Sequence, residues 1–357
     1  MQLSGLLGSA LSFVIRSVFK KTELPFLIVL NNKEEAAYCL NDLEQMIGEQ
    51  DVLFYPGSFR RPYQIEETDN ANVLLRAEVL NRINSRKKPA IIVTYPEALF
   101  EKVVTRKELD KNTLKVAVGD KISIDFINEV LFEYEFKRVD FITEPGEFSV
   151  RGGIVDVFSF SNDNPYRIEF FGDEVESIRT FDVATQLSIE TQKKITIIPN
   201  VENKFFQENR ESFLDYISAK TVIFIQNTED FLSQLDKQFG KAEEAFAKLS
   251  QEIKRSSPEQ LFLNQAEFIK RALDFSIVEL SSKAIFRTTK KFEFHIQPQP
   301  SFNKQFDLLL NNLNENHFNG YKNHLFCSND AQAKRFHDIF ETLDEANSEN
   351  IRKQYHT

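Results

Sequence analysis

The sequence predicts an α/β protein interrupted by an inserted antiparallel α+β module. In the first hundred residues, short apolar runs alternate with segments of helical periodicity, and the same pattern returns after about residue 200. Between these stretches lie several short strand patterns joined by tight turns. Alternating strand and helix patterns favour a parallel sheet, whereas consecutive short strands favour an antiparallel one. A length of 357 residues suits two or three domains.

The first α/β segment is predicted from three buried strands and two helices. Continuous apolar runs of about five residues are typical of strands that are covered on both faces. Amphipathic spacing between the runs indicates helices. The strands are expected at Phe26–Leu30, Asp51–Tyr55 and Ala90–Thr94, and the helices at Lys33–Gly48 and Asn72–Arg86.

The inserted module is predicted at about residues 112–198. Gly152 and Gly153 offer a bulge or a close backbone approach, and Gly172-Asp173-Glu174 indicates a tight turn. The expected strands and helix are Val116–Lys121, helix Ser123–Phe132, Arg138–Thr143, the alternating stretch Glu147–Phe160, Tyr166–Phe171 and Val175–Asp182.

After residue 200 the α/β pattern resumes and a further unit begins. We expect strands at Thr221–Ile225 and Asp274–Leu280, a helix at Phe231–Ile253 and a linker at Gln297–Ser301. The last elements are expected to be a helix at Lys304–Leu313, a strand at His324–Cys327 and a helix at Ala331–Leu343. Because a strand and two helices cannot close a core, the chain is expected to stop inside a further domain. The predicted divisions are 1–110 and 200–300 for the α/β domain, 111–199 for the module and 301–357 for the linker and next domain.

Composition excludes several classes of function. The formal net charge is −10, which argues against a general nucleic-acid binder. Cysteine is confined to Cys39 and Cys327, so no disulfide framework is expected and the cytoplasm is the default location. Residues 40–294 hold neither Cys nor His, which excludes a zinc finger or a histidine-based triad there. The sequence contains no run of 18 apolar residues, so no membrane span is expected. The apolar start is expected to be a buried helix rather than a signal peptide.

A possible phosphate loop lies at Gly5–Ser12, ahead of an apolar helix. A working loop needs a second glycine and a lysine, whose backbone and charge hold the phosphates. Ala10 and Leu11 stand at those places, and Leu11 cannot offset phosphate charge. The favoured interpretation is a degenerate loop at a helix N-terminus, whose residues are Gly5, Gly8, Ser9, Leu11 and Ser12. No catalytic residue and no metal site is predicted.

A second candidate is the pair Arg151 and Arg167 within the strands of the module. Residues 114–200 hold 9 basic and 16 acidic residues, a net charge of −7. Arginines beside aromatic residues on an acidic module fit a protein–protein contact better than a phosphate track. The alternative is that each arginine pairs with a neighbouring carboxylate. The basic clusters Arg60-Arg61 and Arg86-Lys87-Lys88 are more typical of solvated loops.

Two stretches of this module closely resemble a signature shared by UvrB and the bacterial transcription-repair coupling factors. They are Ser149–Phe158, SVRGGIVDVF, and Tyr166–Arg179, YRIEFFGDEVESIR, followed by Phe181-Asp182. The degenerate loop favours the coupling factors, because UvrB has a working phosphate loop at that place. Phe54–Gly57 and Val93–Leu99 are also similar to the N-terminal, UvrB-like region of that family.

The resemblance implies a RecA-like α/β domain in two segments and a non-catalytic adaptor role. The module would bind UvrA through Arg151, Arg167 and Phe171, and so recruit it to RNA polymerase stalled at DNA damage. This requires both arginines to face solvent on one surface. The family's full-length protein is a DNA translocase, whose other domains would bind RNA polymerase, double-stranded DNA, ATP and magnesium. One of those domains would cover the UvrA-binding surface. The alternatives are an ATP-dependent helicase core of UvrB type and a DNA-binding scaffold.

Overall fold

The computed structural model describes residues 1–58, 70–85, 88–160, 162, 164–199, 210–248, 256–287, 290–327 and 329–347. They form two compact units, residues 1–296 and residues 297–357. The first 111 residues hold β1 (Gln2–Ser4), α1 (Ala10–Thr22), β2 (Phe26–Val29), α2 (Lys33–Ile47), a 3₁₀ turn (Glu49–Asp51), β3 (Val52–Phe54), α3 (Asn70–Ser85), β4 (Ile91–Thr94), α4 (Pro96–Phe100), β5 (Val103–Val104) and α5 (Arg106–Lys111).

The remaining elements follow in chain order. Those of the inserted module are β6 (Leu114–Ala117), α6 (Ile124–Glu133), β7 (Lys137–Arg138), β8 (Glu147–Arg151), β9 (Ile154–Val157), β10 (Tyr166–Phe171), β11 (Glu174–Phe181), β12 (Ser188–Thr191) and β13 (Lys194–Ile197). Those after it are β14 (Arg210–Glu211), α7 (Phe213–Tyr216), β15 (Val222–Gln226), α8 (Thr228–Ala247), α9 (Pro258–Leu261), α10 (Gln265–Ala272), β16 (Ser276–Leu280), β17 (Lys291–Glu293), α11 (Phe306–Phe318) and α12 (Asp330–Asn347).

A seven-stranded parallel sheet forms the base of the first unit, in the order β17-β1-β16-β15-β2-β4-β3. All four residues of β2 and all four of β4 are buried, as the continuous apolar runs predict. The strands before and after the module join the same sheet, since β15 pairs with β2. The predicted mixed α/β architecture, with a parallel sheet and a separate antiparallel sheet, is confirmed.

Helix starts follow the capping residues in the sequence. The Asn32 side chain accepts a hydrogen bond from the Glu35 backbone N–H at 2.9 Å, at the start of α2. Ser123 caps α6 in the same way through the N–H of Phe126. The predicted helix Phe231–Ile253 corresponds to α8, and its last five positions, 249–253, lie outside the described residues.

Two sequence predictions about single elements are wrong, and a third is confirmed only in part. The helix expected in the apolar start is α1, but it begins only at Ala10, and the chain starts with a strand, β1. Gln2 and Ser4 are polar, so this three-residue strand carries no apolar run, and its pairing with β16 and β17 depends on distant residues. The strand expected at Arg138–Thr143 is only Lys137–Arg138. His324–Cys327 has no regular structure, and no strand in the described part of the second unit could pair with it.

The inserted module is a six-stranded sheet in the order β12-β11-β10-β9-β8-β7, in which β8 to β12 are antiparallel. Helix α6 covers one face, where the ring of Phe132 meets that of Phe148 edge-on at 5.2 Å. The structure explains why glycine stands at both positions of the β8–β9 turn. Gly152 has φ +60°, and a Cβ on Gly153 would lie 3.1 Å from the carbonyl oxygen of Phe170.

The second unit holds α11 and α12, with Leu310 and Leu313 of α11 buried. In the described part of the chain, every helix is too short or too polar to span a bilayer.

Candidate partner-binding site

The alternating burial of the side chains of β10 shows which face of the module's sheet lies opposite the core. Tyr166, Ile168 and Phe170 are buried, whereas the intervening side chains point to the opposite face. Backbone register then places Ser149, Asp156, Arg167, Arg179 and Thr191 in one row across five strands. We call this side the arginine face, defined by Arg151, Asp156, Arg167, Glu169, Phe171 and Arg179.

Asp156 joins the two arginines that the sequence singles out. Its carboxylate is almost completely buried, and it accepts two hydrogen bonds from Arg167, at 2.7 Å from Nε and 2.8 Å from Nη2. Nη2 of Arg151 donates to the same carboxylate. The ion pair with Asp156 raises the pKa of Arg167 above its ordinary value. A buried carboxylate is costly unless it is paired, so these contacts fix both side chains.

The three predicted contact residues lie on one face but differ in exposure. Arg151 is 42% exposed, Arg167 is 15% exposed and Phe171 is 80% exposed. Arg167 lies between Asp156 and the ring of Phe181, whose centroid is 4.3 Å from its guanidinium carbon. The three residues share one face, as expected, but both arginines are held in ion pairs with Asp156, as the alternative interpretation describes. Arg151 and Phe171 keep exposed side chains, whereas the mostly buried Arg167 does not meet the requirement that both arginines face solvent.

Arg179 and Glu169 form a second ion pair beside the first. Arg179 lies directly opposite Arg167 on the neighbouring strand, and Ser177 Oγ donates to Glu169 at 2.5 Å. Two like charges in opposite positions repel, and the repulsion is offset here because Arg167 pairs with Asp156 and Arg179 with Glu169. The six residues that define the arginine face comprise three arginines and two carboxylates, and the exposed Glu174 lies opposite Phe171 at their edge. The arginines are suited to carboxylates of an acidic partner surface.

Sequence reasoning missed Asp156, Glu169 and Arg179 as members of this face. Asp156 lies in the alternating stretch Ile154–Val157, and its polar side chain between two valines marks it as pointing away from the core. Its position opposite Arg167 follows only from the strand register. The available signal in the sequence was an aspartate at an outward-facing position of β9, next in the chain to β10, which carries Arg167.

The degenerate phosphate loop lines a cavity of about 560 Å³ at the carboxyl ends of β1, β2, β15 and β16 in the parallel sheet. Its residues Gly5, Gly8, Ser9, Leu11 and Ser12 are joined there by Glu35 and Asp42, and the described lining includes no lysine or arginine. Ser12 Oγ donates to Asp42 at 3.2 Å. Two carboxylates without a cation would repel a triphosphate, so these residues do not fit ATP.

Gly5 has a structural role in this loop. Its φ is +75°, and a Cβ there would lie 1.8 Å from the carbonyl oxygen of Phe294. The backbone of the loop therefore packs against the segment that follows β17. Of the two basic clusters considered as nucleic-acid contacts, Arg60-Arg61 and Arg86-Lys87 lie outside the described residues, and Lys88 is exposed.

Residues 114–203 match the family model of the UvrB interaction domain, which contains the whole arginine face. The chain is 34% identical over 218 residues to a transcription-repair-coupling factor of Bacillus subtilis, a match that covers 61% of this chain and 18% of that protein. It is 30% identical over 204 residues to the transcription-repair-coupling factor of Rickettsia bellii, covering 57% of this chain and 18% of that protein. It is 24% identical over 197 residues to that of Escherichia coli, covering 55% of this chain and 17% of that protein.

These matches cover about a fifth of the length of the relatives. The family model falls on the inserted module, which carries the two stretches on which the resemblance in the sequence rests. Residues 114–203 of the chain are thus similar to the UvrB interaction domain, and the chain is similar over more than half of its length to bacterial transcription-repair-coupling factors.

Proposed function

We propose that this chain is a non-catalytic adaptor that binds UvrA through the arginine face. The observation that carries the proposal is the shared carboxylate of Asp156, which holds Arg151 and Arg167 on one face of the matched domain. Arginines held by a buried carboxylate are preorganised, so little side-chain freedom is lost when a partner binds. Arg151 supplies the exposed guanidinium and Phe171 the exposed apolar area, a combination that is common at the centre of protein interfaces.

The names of the relatives and of the matched domain support a role in transcription-coupled repair. The matched domain is named for UvrB interaction, and the relatives are named as transcription-repair-coupling factors. The choice of UvrA as the partner, recruited to RNA polymerase stalled at DNA damage, rests on the resemblance of the sequence. In this proposal, the base of the module is a RecA-like domain. The contacts with polymerase and double-stranded DNA, and the ATP and magnesium of the translocase, belong to parts of such proteins outside these 357 residues.

Calorimetric titration of UvrA into this chain tests the proposal, with the variants Arg151→Ala and Arg151→Ala/Arg167→Ala measured alongside. We expect saturable binding by the wild type and loss of binding by the double variant, with unchanged circular dichroism. Val118→Ala, an exposed residue outside the arginine face, is the matched control. Absence of binding by the wild type, or equal binding by the double variant, would contradict the proposal.

A helicase core of UvrB type is the second candidate, because the loop lies where such a core binds nucleotide. The carboxylates of Glu35 and Asp42 and the side chain of Leu11 in the cavity argue against it. A titration with ATP and magnesium separates the two functions. Saturable nucleotide binding would favour the helicase core, and no binding is expected for an adaptor.

A further inference from the structure

We propose that Phe141, in the segment between β7 and β8, is an additional partner contact of the arginine face. The inference rests on the proposed function and extends the binding surface beyond the positions that the family resemblance assigns. Phe141 is 64% exposed, and the guanidinium carbon of Arg151 lies 5.2 Å from its ring centroid. An arginine over an aromatic ring at this distance makes a cation–π contact.

The segment that carries Phe141 is fixed on both sides of this residue. The Val139 N–H donates to the carbonyl of Phe148 at 2.9 Å, and Ser149 Oγ donates to the carbonyl of Asp140 at 3.0 Å. On the other side, the Thr143 N–H donates to the carboxylate of Glu147 at 2.8 Å. The exposed ring is therefore presented on an ordered backbone.

Apolar packing explains why Phe141 points outward while Ile142 does not. Ile142 is 1% exposed and forms a small core with Phe158 and Phe181, against which Val139 packs. Val139 and Ile142 thus anchor the segment to the sheet and leave Phe141 on the outer side. A single exposed phenylalanine is unremarkable, but one stacked on a proposed contact arginine enlarges the same surface.

The strand order adds a second aromatic residue to this surface. Arg151 is on β8, between the segment that carries Phe141 and β10, which carries Phe171. The surface therefore offers one exposed guanidinium with a phenyl ring on each side in strand order. It fits a carboxylate of the partner that is surrounded by apolar side chains, because the Phe141 ring shields one side of the Arg151 guanidinium from water.

Titration of UvrA into the full chain tests this role. We expect Phe141→Ala to weaken binding about tenfold, and Phe141→Leu, which keeps apolar area but loses the aromatic face, to weaken it less. The matched control is Phe126→Ala, since Phe126 is also exposed but belongs to α6, on the other face of the sheet. It should bind within twofold of the wild type.

A double-mutant cycle with Arg151 separates direct contact from positioning. If Phe141 only orients Arg151, then Phe141→Ala will have no effect in the Arg151→Ala background. A further loss of at least threefold in that background is the result expected for a direct contact with the partner.

The outcomes distinguish this inference from the proposed function. If the wild type binds and Arg151→Ala weakens binding, but Phe141→Ala and Phe141→Leu both bind like the wild type, the role of Phe141 is wrong and the proposed function stands. If the wild type does not bind UvrA, both are wrong. Thermal unfolding of each variant establishes that the module is folded.

Discussion

Arg167 and Asp156 lie directly opposite each other on neighbouring strands, and their side chains meet in a two-point ion pair on the open face of the sheet. The same carboxylate also accepts from Arg151, which comes from the adjoining strand on the other side. Three consecutive strands are thereby linked through one buried side chain. The contact surface and the stability of the module are coupled at Asp156.

Replacement of Asp156 by asparagine is expected to destabilise the module. The change keeps the shape of the side chain but removes the charge that compensates two guanidiniums, one of them mostly buried. Loss of one partner of a buried ion pair costs on the order of 3 kcal/mol of unfolding free energy. Urea unfolding followed by circular dichroism measures it.

Asp182→Asn is the control for Asp156→Asn, because Asp182 caps an exposed turn through Thr185. Its effect on the free energy of unfolding should be clearly smaller than that of Asp156→Asn. Equal stability of Asp156→Asn and the wild type would mean that the shared ion pair does not hold the sheet together.

Arg151→Ala and Arg167→Ala are expected to differ in stability although both weaken binding. If they are interface hot spots, each should cost on the order of 2 kcal/mol of binding to UvrA. Arg167 is the more buried side chain, and it donates two hydrogen bonds to Asp156, at 2.7 and 2.8 Å. Its loss should therefore also lower the melting temperature. Arg151→Ala should leave it nearly unchanged, because that side chain is 42% exposed. Calorimetry and thermal unfolding of the two variants provide the comparison, and an equal fall in both melting temperatures would contradict it.

The two loop glycines give a matched pair for testing the structural role of the degenerate loop. Gly5 and Gly8 both have positive φ, of +75° and +56°. A Cβ at Gly8 meets nothing within 4 Å, so Gly8→Ala should cost only the backbone strain, about 1 kcal/mol. A Cβ at Gly5 would overlap the carbonyl of Phe294, so Gly5→Ala should cost clearly more.

Chemical unfolding of the two glycine variants measures this difference. A larger loss for Gly5→Ala indicates that the glycine is retained for backbone packing. Equal losses would mean that the segment after β17 does not pack on the loop as described.

The central strands and part of the arginine face could be predicted from the sequence, because they depend only on residues that are close together in the chain. The apolar runs around Phe26 and Ile91 give buried strands without knowledge of their partners. Arg167 and Phe171, four residues apart in one strand, must share a face.

The remaining parts depend on contacts between residues that are far apart in the chain. Asp156 meets Arg151 and Arg167 only because two hairpins place three strands in one register. Phe141 reaches the same surface because its neighbours are anchored to the sheet. β1 has too few apolar residues to be recognised before its partners β16 and β17 are known.

The buried thiol of Cys39 on α2 predicts a fall in stability at alkaline pH. Burial is the main cause that raises its pKa in the folded chain from an ordinary value of 9.0 to about 11. Between these two values the unfolded chain loses the proton while the folded chain keeps it. The stabilisation is therefore complete below about pH 9 and is lost as the pH rises toward 11, at up to about 1.4 kcal/mol per pH unit.

Cys39→Ala isolates this contribution from other groups that titrate in the same range. The variant loses packing at every pH, but it has no thiol to ionise. The difference in unfolding free energy between wild type and variant should therefore be constant from pH 7 to 8 and shrink between pH 9 and 10.5. Urea unfolding at these pH values measures that difference. A difference that stays constant up to pH 10.5 would show that Cys39 ionises equally in the folded and unfolded chains, because only unequal ionisation makes folding depend on pH.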